Sequence, residues 1–206
     1  MKVFKNGLLT GLFLQLAIGP VFFFIINISL QRTLFDGLIA VLAVTIVDYF
    51  YITLAILGVG QALKRKKVKK VFGIVSSIVL IIFGAIMIKT VSDNNITEGI
   101  NADVMNLMLS FTSTFILTIS SPMTIVFFTS LFSAKAVEYN YAKRDLVIFG
   151  LATGLATLLF MGISVIVFSL IKTGIPMNLI NILNILVGIV LIAYGLIRLR
   201  SSLIKK

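Results

Sequence analysis

The amino-acid sequence predicts an all-α integral membrane protein whose six transmembrane helices form a 3+3 inverted-topology repeat. Three observations carry that reading. Of 206 residues, 59% are hydrophobic and 12% charged, against roughly 25% charged in soluble domains. Six apolar stretches are each long enough to cross about 30 Å of hydrocarbon at 1.5 Å per residue. Finally, Lys and Arg are concentrated in every second connection, which is how membrane chains encode sidedness.

The stretches run Gly7–Leu30, Gly37–Gly60, Val71–Ile88, Leu107–Phe132, Leu146–Ile171 and Met177–Ile197. The first follows Lys2 and Lys5 and so imitates a signal peptide. It outruns an h-region of roughly 7–15 residues and no small-residue cleavage site follows, so it reads as a retained span. The third follows the basic run 64–70. A polar connection, 91–106, with Asp93, Asn94, Asn95, Glu98 and Asp103, precedes the fourth. The sixth opens after Pro176, a residue suited to the first turn of a helix.

Sidedness follows from the cations. Lys2, Lys5, Lys64, Arg65, Lys66, Lys67, Lys69, Lys70, Lys135, Lys143, Arg144, Arg198, Arg200, Lys205 and Lys206 fall on one side; only Arg32, Lys89 and Lys172 fall on the other. The positive-inside rule puts both termini in the cytoplasm. The net charge of +11 is thereby a topology signal, and no nucleic-acid partner is expected. The partner is the lipid bilayer.

A single polytopic domain, 1–206, divides at 91–106 into repeats of about 1–90 and 107–206. Ile78–Ile86 (IVLIIFGAI) in span three matches Ile189–Ile197 (IVLIAYGLI) in span six at six of nine positions. Spans one and four each carry a central proline followed by phenylalanines: Gly19-Pro20 before Phe22, Phe23 and Phe24, and Ser121-Pro122 before Phe127 and Phe128. With three spans per half, the second half enters from the opposite face. Proline lacks an N–H and clashes with the carbonyl four residues back, so each span must kink or break there. Pro20 lies 13 residues into its span and Pro122 lies 15 into its own, so both breaks fall roughly 20–22 Å from opposite faces. A broken helix at that depth is tolerated where protein, water or substrate satisfies the freed carbonyls, as in transporter sites.

Asp48 is the one acidic residue read inside a span, also near mid-depth. Such a residue costs about 2.5–3.5 kcal/mol on insertion scales and is expected to exchange a proton or pair with a cationic substrate. Against this stands a purely structural role, in which Asp48 locks the bundle by bonding a neighbouring Tyr or Thr. Thr45 and Tyr51 share its helix face. Ser110, Thr114, Thr118, Ser121 and Thr124 line one face of span four, beside the carbonyl that Pro122 frees. They read as a hydrated path, or else as hydroxyls bonded back to their own helix. Thr153 and Thr157 in span five are similar but less telling. Gly7-x-x-x-Gly11 and Gly150-x-x-x-Gly154 permit close helix approach, either within one chain or in a homodimer.

The chain has no Cys and no His, which excludes thiol redox chemistry, Cys/His metal sites and histidine catalysis. No phosphate loop, carboxylate pair or nucleophile–base set is visible. No enzymatic activity, cofactor or metal site is expected.

Gly19-Pro20-Val21-Phe22-Phe23-Phe24, followed by Asp36-Gly37-Leu38 and Val47-Asp48, resembles the LysE/RhtB family of bacterial amino-acid exporters over essentially the whole chain. The resemblance matches Gly19 and Pro20 to the family's Gly-Pro motif, Asp48 to its acidic position and Pro122 to its second proline. Three departures stand out: a second Gly-Pro element is missing, Val47 replaces a glycine and Ser121 replaces an asparagine. The resemblance implies export of an amino acid or similar small polar metabolite across the bacterial cytoplasmic membrane, driven by proton or membrane potential. The alternatives are a divalent-cation exporter of a related family and a non-transporting scaffold.

Overall fold

A computed structural model describes residues 1–16, 19–58, 66–92, 102–120, 122–174 and 176–204. The described residues form helices and their connections: α1 (Lys2–Gln15), α2 (Pro20–Gln31), α3 (Leu34–Ile56), α4 (Lys66–Ser92), α5 (Ala102–Ile119), α6 (Pro122–Glu138), α7 (Lys143–Ile171) and α8 (Met177–Ile204).

The two proline-bearing stretches are full breaks rather than kinks. α1 and α2 meet at 79°, and α5 and α6 at 62°. Gly19 is extended and Pro20 takes the first position of α2, where its missing N–H costs nothing. Gly19 O then accepts from the amides of Phe22 and Phe23 at 3.1 and 3.4 Å. Three helices, Leu34–Ile56, Lys143–Ile171 and Asn178–Leu203, are long and apolar enough to cross a membrane, and each bent pair passes as a further span. α4 carries a shorter apolar stretch, Gly73–Lys89.

Helix ends differ from the sequence expectation where capping chemistry intervenes. α3 begins at Leu34 rather than Gly37, because Thr33 and Asp36 form a capping box. It ends at Ile56, and Gly58 follows with φ +78°, the left-handed conformation glycine supplies after a helix. α4 begins at Lys66, so Lys66–Lys70, expected in a loop, belong to its first turns. α4 and α5 also extend into the expected 91–106 connection, of which 93–101 lie outside the described residues.

Packing follows small residues. A Cβ on Gly7 would lie 2.8 Å from Ala152 Cβ and one on Gly11 2.5 Å from Ala156 Cβ, so α1 runs parallel to and against α7. Gly150 and Gly154 face Ile52 and Tyr49 of α3. Both glycine motifs are therefore spent within the chain. α5 runs parallel along α3, with Ser110 beside Asp36 and Ile119 beside Tyr51.

α4 and α8 pack antiparallel with reciprocal contacts. A Cβ on Gly84 would meet Ile192 Cγ1 at 2.7 Å and its amide nitrogen at 3.1 Å, close to Gly188 O. A Cβ on Gly195 would meet Ile81 Cγ1 at 2.8 Å and its amide nitrogen at 3.3 Å, close to Ser77 O. Gly84 and Gly195 hold the same place in the two matching nine-residue stretches, as do Ile81 and Ile192, and Ser77 and Gly188 each immediately precede one.

Candidate functional site

A cavity of about 290 Å³ lies where the two breaks converge. Gly19, Pro20, Val21 and Phe22 enter it from the first break; Thr118, in the last turn of α5, and Thr124, two residues into α6, enter it from the second. Val44 and Asp48 of α3 and Thr153, Thr157 and Met161 of α7 close it from the side, with Gly11, Leu14 and Gln15 of α1. Phe127 and Phe128 complete an aromatic and apolar wall.

The polar wall is a hydrogen-bonded chain. Gln15 Nε2 donates to Thr157 Oγ1 at 2.7 Å, and Thr157 Oγ1 donates to Asp48 Oδ2 at 2.8 Å. Asp48 is 7% exposed. Its hydrogen-bond partner Thr157 is neutral, and no Lys or Arg is among the described residues that line the cavity. Among the described residues the carboxyl is the one acidic group here, held by a hydroxyl rather than locked in an ion pair. An ionisable group in that setting can accept a proton or a cationic group and release it again.

The sequence-predicted residues divide among three places. Gly19, Pro20, Asp48, Thr118 and Thr124 come together at the cavity. Thr45 and Tyr51 share the face of Asp48 but point to other partners. The Thr45 hydroxyl bonds back to Val41 O at 2.8 Å, and the Tyr51 hydroxyl donates to Ile119 O at 2.6 Å, in the last turn of α5. Thr118 lines the cavity while donating to Thr114 O at 2.7 Å. The Thr114 hydroxyl is buried without a hydrogen-bond partner among the described residues. Pro122 opens α6, and Ser121 lies outside the described residues.

Ser110 leaves the expected stripe for a second polar cluster. Asp36 is 3% exposed, so Asp48 is not the single buried acid of the helices. Asp36 accepts from Thr33 Oγ1 at 2.6 Å and Ser110 Oγ at 2.7 Å. Arg32 Nη1 donates to Ser110 Oγ at 3.1 Å, and Lys172 Nζ donates to Arg32 O. The cluster joins the α2–α3 turn, α5 and the end of α7. It lies twelve residues from Asp48 along α3, about 18 Å.

Among the polar cavity residues, Gln15 has no part in the sequence reading, and Thr153 and Thr157 are its less telling threonines. The signal was present: Gln15 is an amide inside an apolar run, just ahead of a Gly-Pro break. Asn27 and Asn184 were equally readable in that sense, and they are buried and bonded to each other across α2 and α8.

Residues 12–202 match the family model of the LysE type translocator. Comparison with curated proteins and with solved structures gives no match. The matched residues span both breaks, the cavity and all but the ends of the chain; the protein belongs to the LysE type translocator family and is a multi-pass membrane protein.

Proposed function

We propose that the protein is a secondary transporter that exports an amino acid or similar small polar metabolite across the bacterial cytoplasmic membrane. The observation that carries this is the Gln15–Thr157–Asp48 chain in a cavity where both helix breaks converge. The cavity size lies at the lower end of ordinary ligand pockets, roughly 300–1,000 Å³, as suits a metabolite rather than a large substrate. The N-terminus of α2 faces the same space through Gly19–Phe22. Its positive end suits a carboxylate, and Asp48 suits an ammonium group, the two ends of an amino acid.

Six spans carry the chain, with α1 plus α2 and α5 plus α6 as the broken ones and α4 as the third. Three features support two inverted halves: the reciprocal contacts of α4 and α8, the parallel seating of α1 on α7 and the parallel seating of α5 on α3. The excess of Lys and Arg places both termini in the cytoplasm. Alternating access then works around Pro20, Asp48 and Pro122. Moving one charge through 100 mV supplies about 2.3 kcal/mol, enough to drive export without ATP. A divalent-cation exporter fits less well: one carboxylate among the described cavity residues is a poor set for a hard cation that takes six or more oxygens.

The test is export of a panel of labelled amino acids from cells loaded with dipeptides, with and without an uncoupler. Outward accumulation of one or more, collapsed by the uncoupler, is expected. Export that no member of the panel shows, or that survives full uncoupling, contradicts the reading.

A further inference from the structure

Asp48 and Thr157 hold the same place in two helices that begin alike. α3 opens with Asp36 accepting from the Thr33 amide at 3.3 Å, and α7 opens with Asp145 accepting from the Ala142 amide at 3.1 Å. Asp48 stands twelve residues beyond Asp36, and Thr157 twelve beyond Asp145, so each lies about 18 Å into its own helix. The helices run antiparallel: Gly37 meets Val165, Gly150 meets Ile52, and Gly154 meets Tyr49. Asp48 and Thr157 touch at the crossing, Oγ1 to Oδ2 at 2.8 Å. Two equivalent positions of a two-fold arrangement touch each other only where the axis passes between them.

We propose that Asp48 and Thr157 are equivalent positions of the two halves and form one central site on the internal axis, where the carboxyl can work from either helix. This rests on the transporter reading above and assigns Thr157 to the site. A group on the axis stays equally far from both faces while the halves exchange conformations, which is what a carrier's shared site requires. Thr157 also accepts from Gln15, at the end of α1, so it positions the carboxyl according to the state of the first break. The counterpart of Gln15, five residues before the other proline, is Leu117, which has no hydrogen-bonding side chain. The site is thus symmetric in backbone and one-sided in chemistry.

Four proteins test this: the natural chain, Asp48→Thr, Thr157→Asp, and the variant carrying both changes. Each is measured for thermal unfolding in lipid nanodiscs and for export of the labelled amino-acid panel. Thr157→Asp alone sets two carboxyls against each other and should melt lowest. The exchanged pair should recover to within a few degrees of the natural chain, a coupling that residues in contact show and independent ones do not. Asp48→Thr should lose about tenfold or more in export, and the exchanged pair should regain it to within about threefold. A Thr157 that only fills space would give no such rescue. An exchanged pair that folds and inserts but exports no better than Asp48→Thr overturns the proposal while leaving the transporter reading in place. If the natural chain exports nothing on the panel, that reading fails. Melting then decides alone: full recovery in the exchanged pair upholds a carboxyl held equally well from either helix, and strictly additive losses overturn it.

Discussion

The Tyr51 hydroxyl donates to the Ile119 carbonyl across 2.6 Å, so α3 holds the last turn of α5 at the point where that span breaks. Helix ends leave carbonyls unpaired, and in hydrocarbon a side chain must meet them. Tyr51→Phe removes the donor and little else. The loss should be about 1–3 kcal/mol, the cost of an unsatisfied buried acceptor, read as a lower unfolding midpoint in nanodiscs. A midpoint equal to that of the natural chain would show that water or another group already serves Ile119.

The breaks themselves are open to a second measurement. Pro20→Ala and Pro122→Ala each restore an N–H and remove the ring clash, so the two half-helices gain the option of continuing. Insertion should be unchanged because apolar length is unchanged. Export should fall severalfold, since a continuous helix withdraws the backbone that faces the cavity. Wild-type export rates in both variants would reduce the prolines to packing features.

Asp48→Asn separates chemistry from packing. The amide keeps the size of the carboxyl and can still accept from Thr157, but it cannot take up or release a proton. Folding should be retained, uphill export lost, and downhill exchange of a labelled substrate retained in part. Reconstituted Asp48→Asn protein that still concentrates substrate outward against a gradient would remove the coupling role.

Asp36 should behave differently. Its carboxyl is buried, accepts from Thr33 and Ser110, and attracts the Lys172 ammonium. Asp36→Ala removes the cap of α3 and the acceptor for Ser110, leaving cationic groups without it. Losing a buried carboxylate that accepts two hydroxyls costs about 1.5–3 kcal/mol. Low yield and a sharply lower melting midpoint are expected, before any transport defect can be read. A variant that melts like the natural chain would show that the Thr33 and Ser110 hydroxyls find full compensation elsewhere.

Much of this site was legible in the bare sequence, because each informative residue stands against an apolar background. A Gly-Pro pair inside fourteen apolar-rich residues announces a break, and an aspartate among Val, Ile and Ala carries an insertion cost that composition does not hide. Residues whose partners lie far along the chain were less legible. The Thr157 hydroxyl looks no different from that of Thr153, yet Thr153 bonds its own helix at Phe149 and the Gly7 carbonyl, while Thr157 bonds Asp48. Helical spacing groups Thr45, Asp48 and Tyr51 on one face, but Asp48 meets α7, Tyr51 meets α5 and Thr45 bonds back to its own helix.

The sequence by itself determined that the chain is helical and membrane-embedded, where two of its spans break, and that Asp48 lies at their depth. Those properties follow from local chemistry: apolar length, the missing N–H of proline, the cost of a lone acid. Only the tertiary structure decided that the glycine motifs serve α1, α3 and α7 of one chain, that Asp36 is buried against Ser110, and that Gln15 and Thr157 complete the polar wall around Asp48. Gln15 and Thr157 are 142 residues apart. Their meeting depends on Gly7 and Gly11 letting two backbones close to within a side chain's reach, a distance that no spacing along one helix encodes.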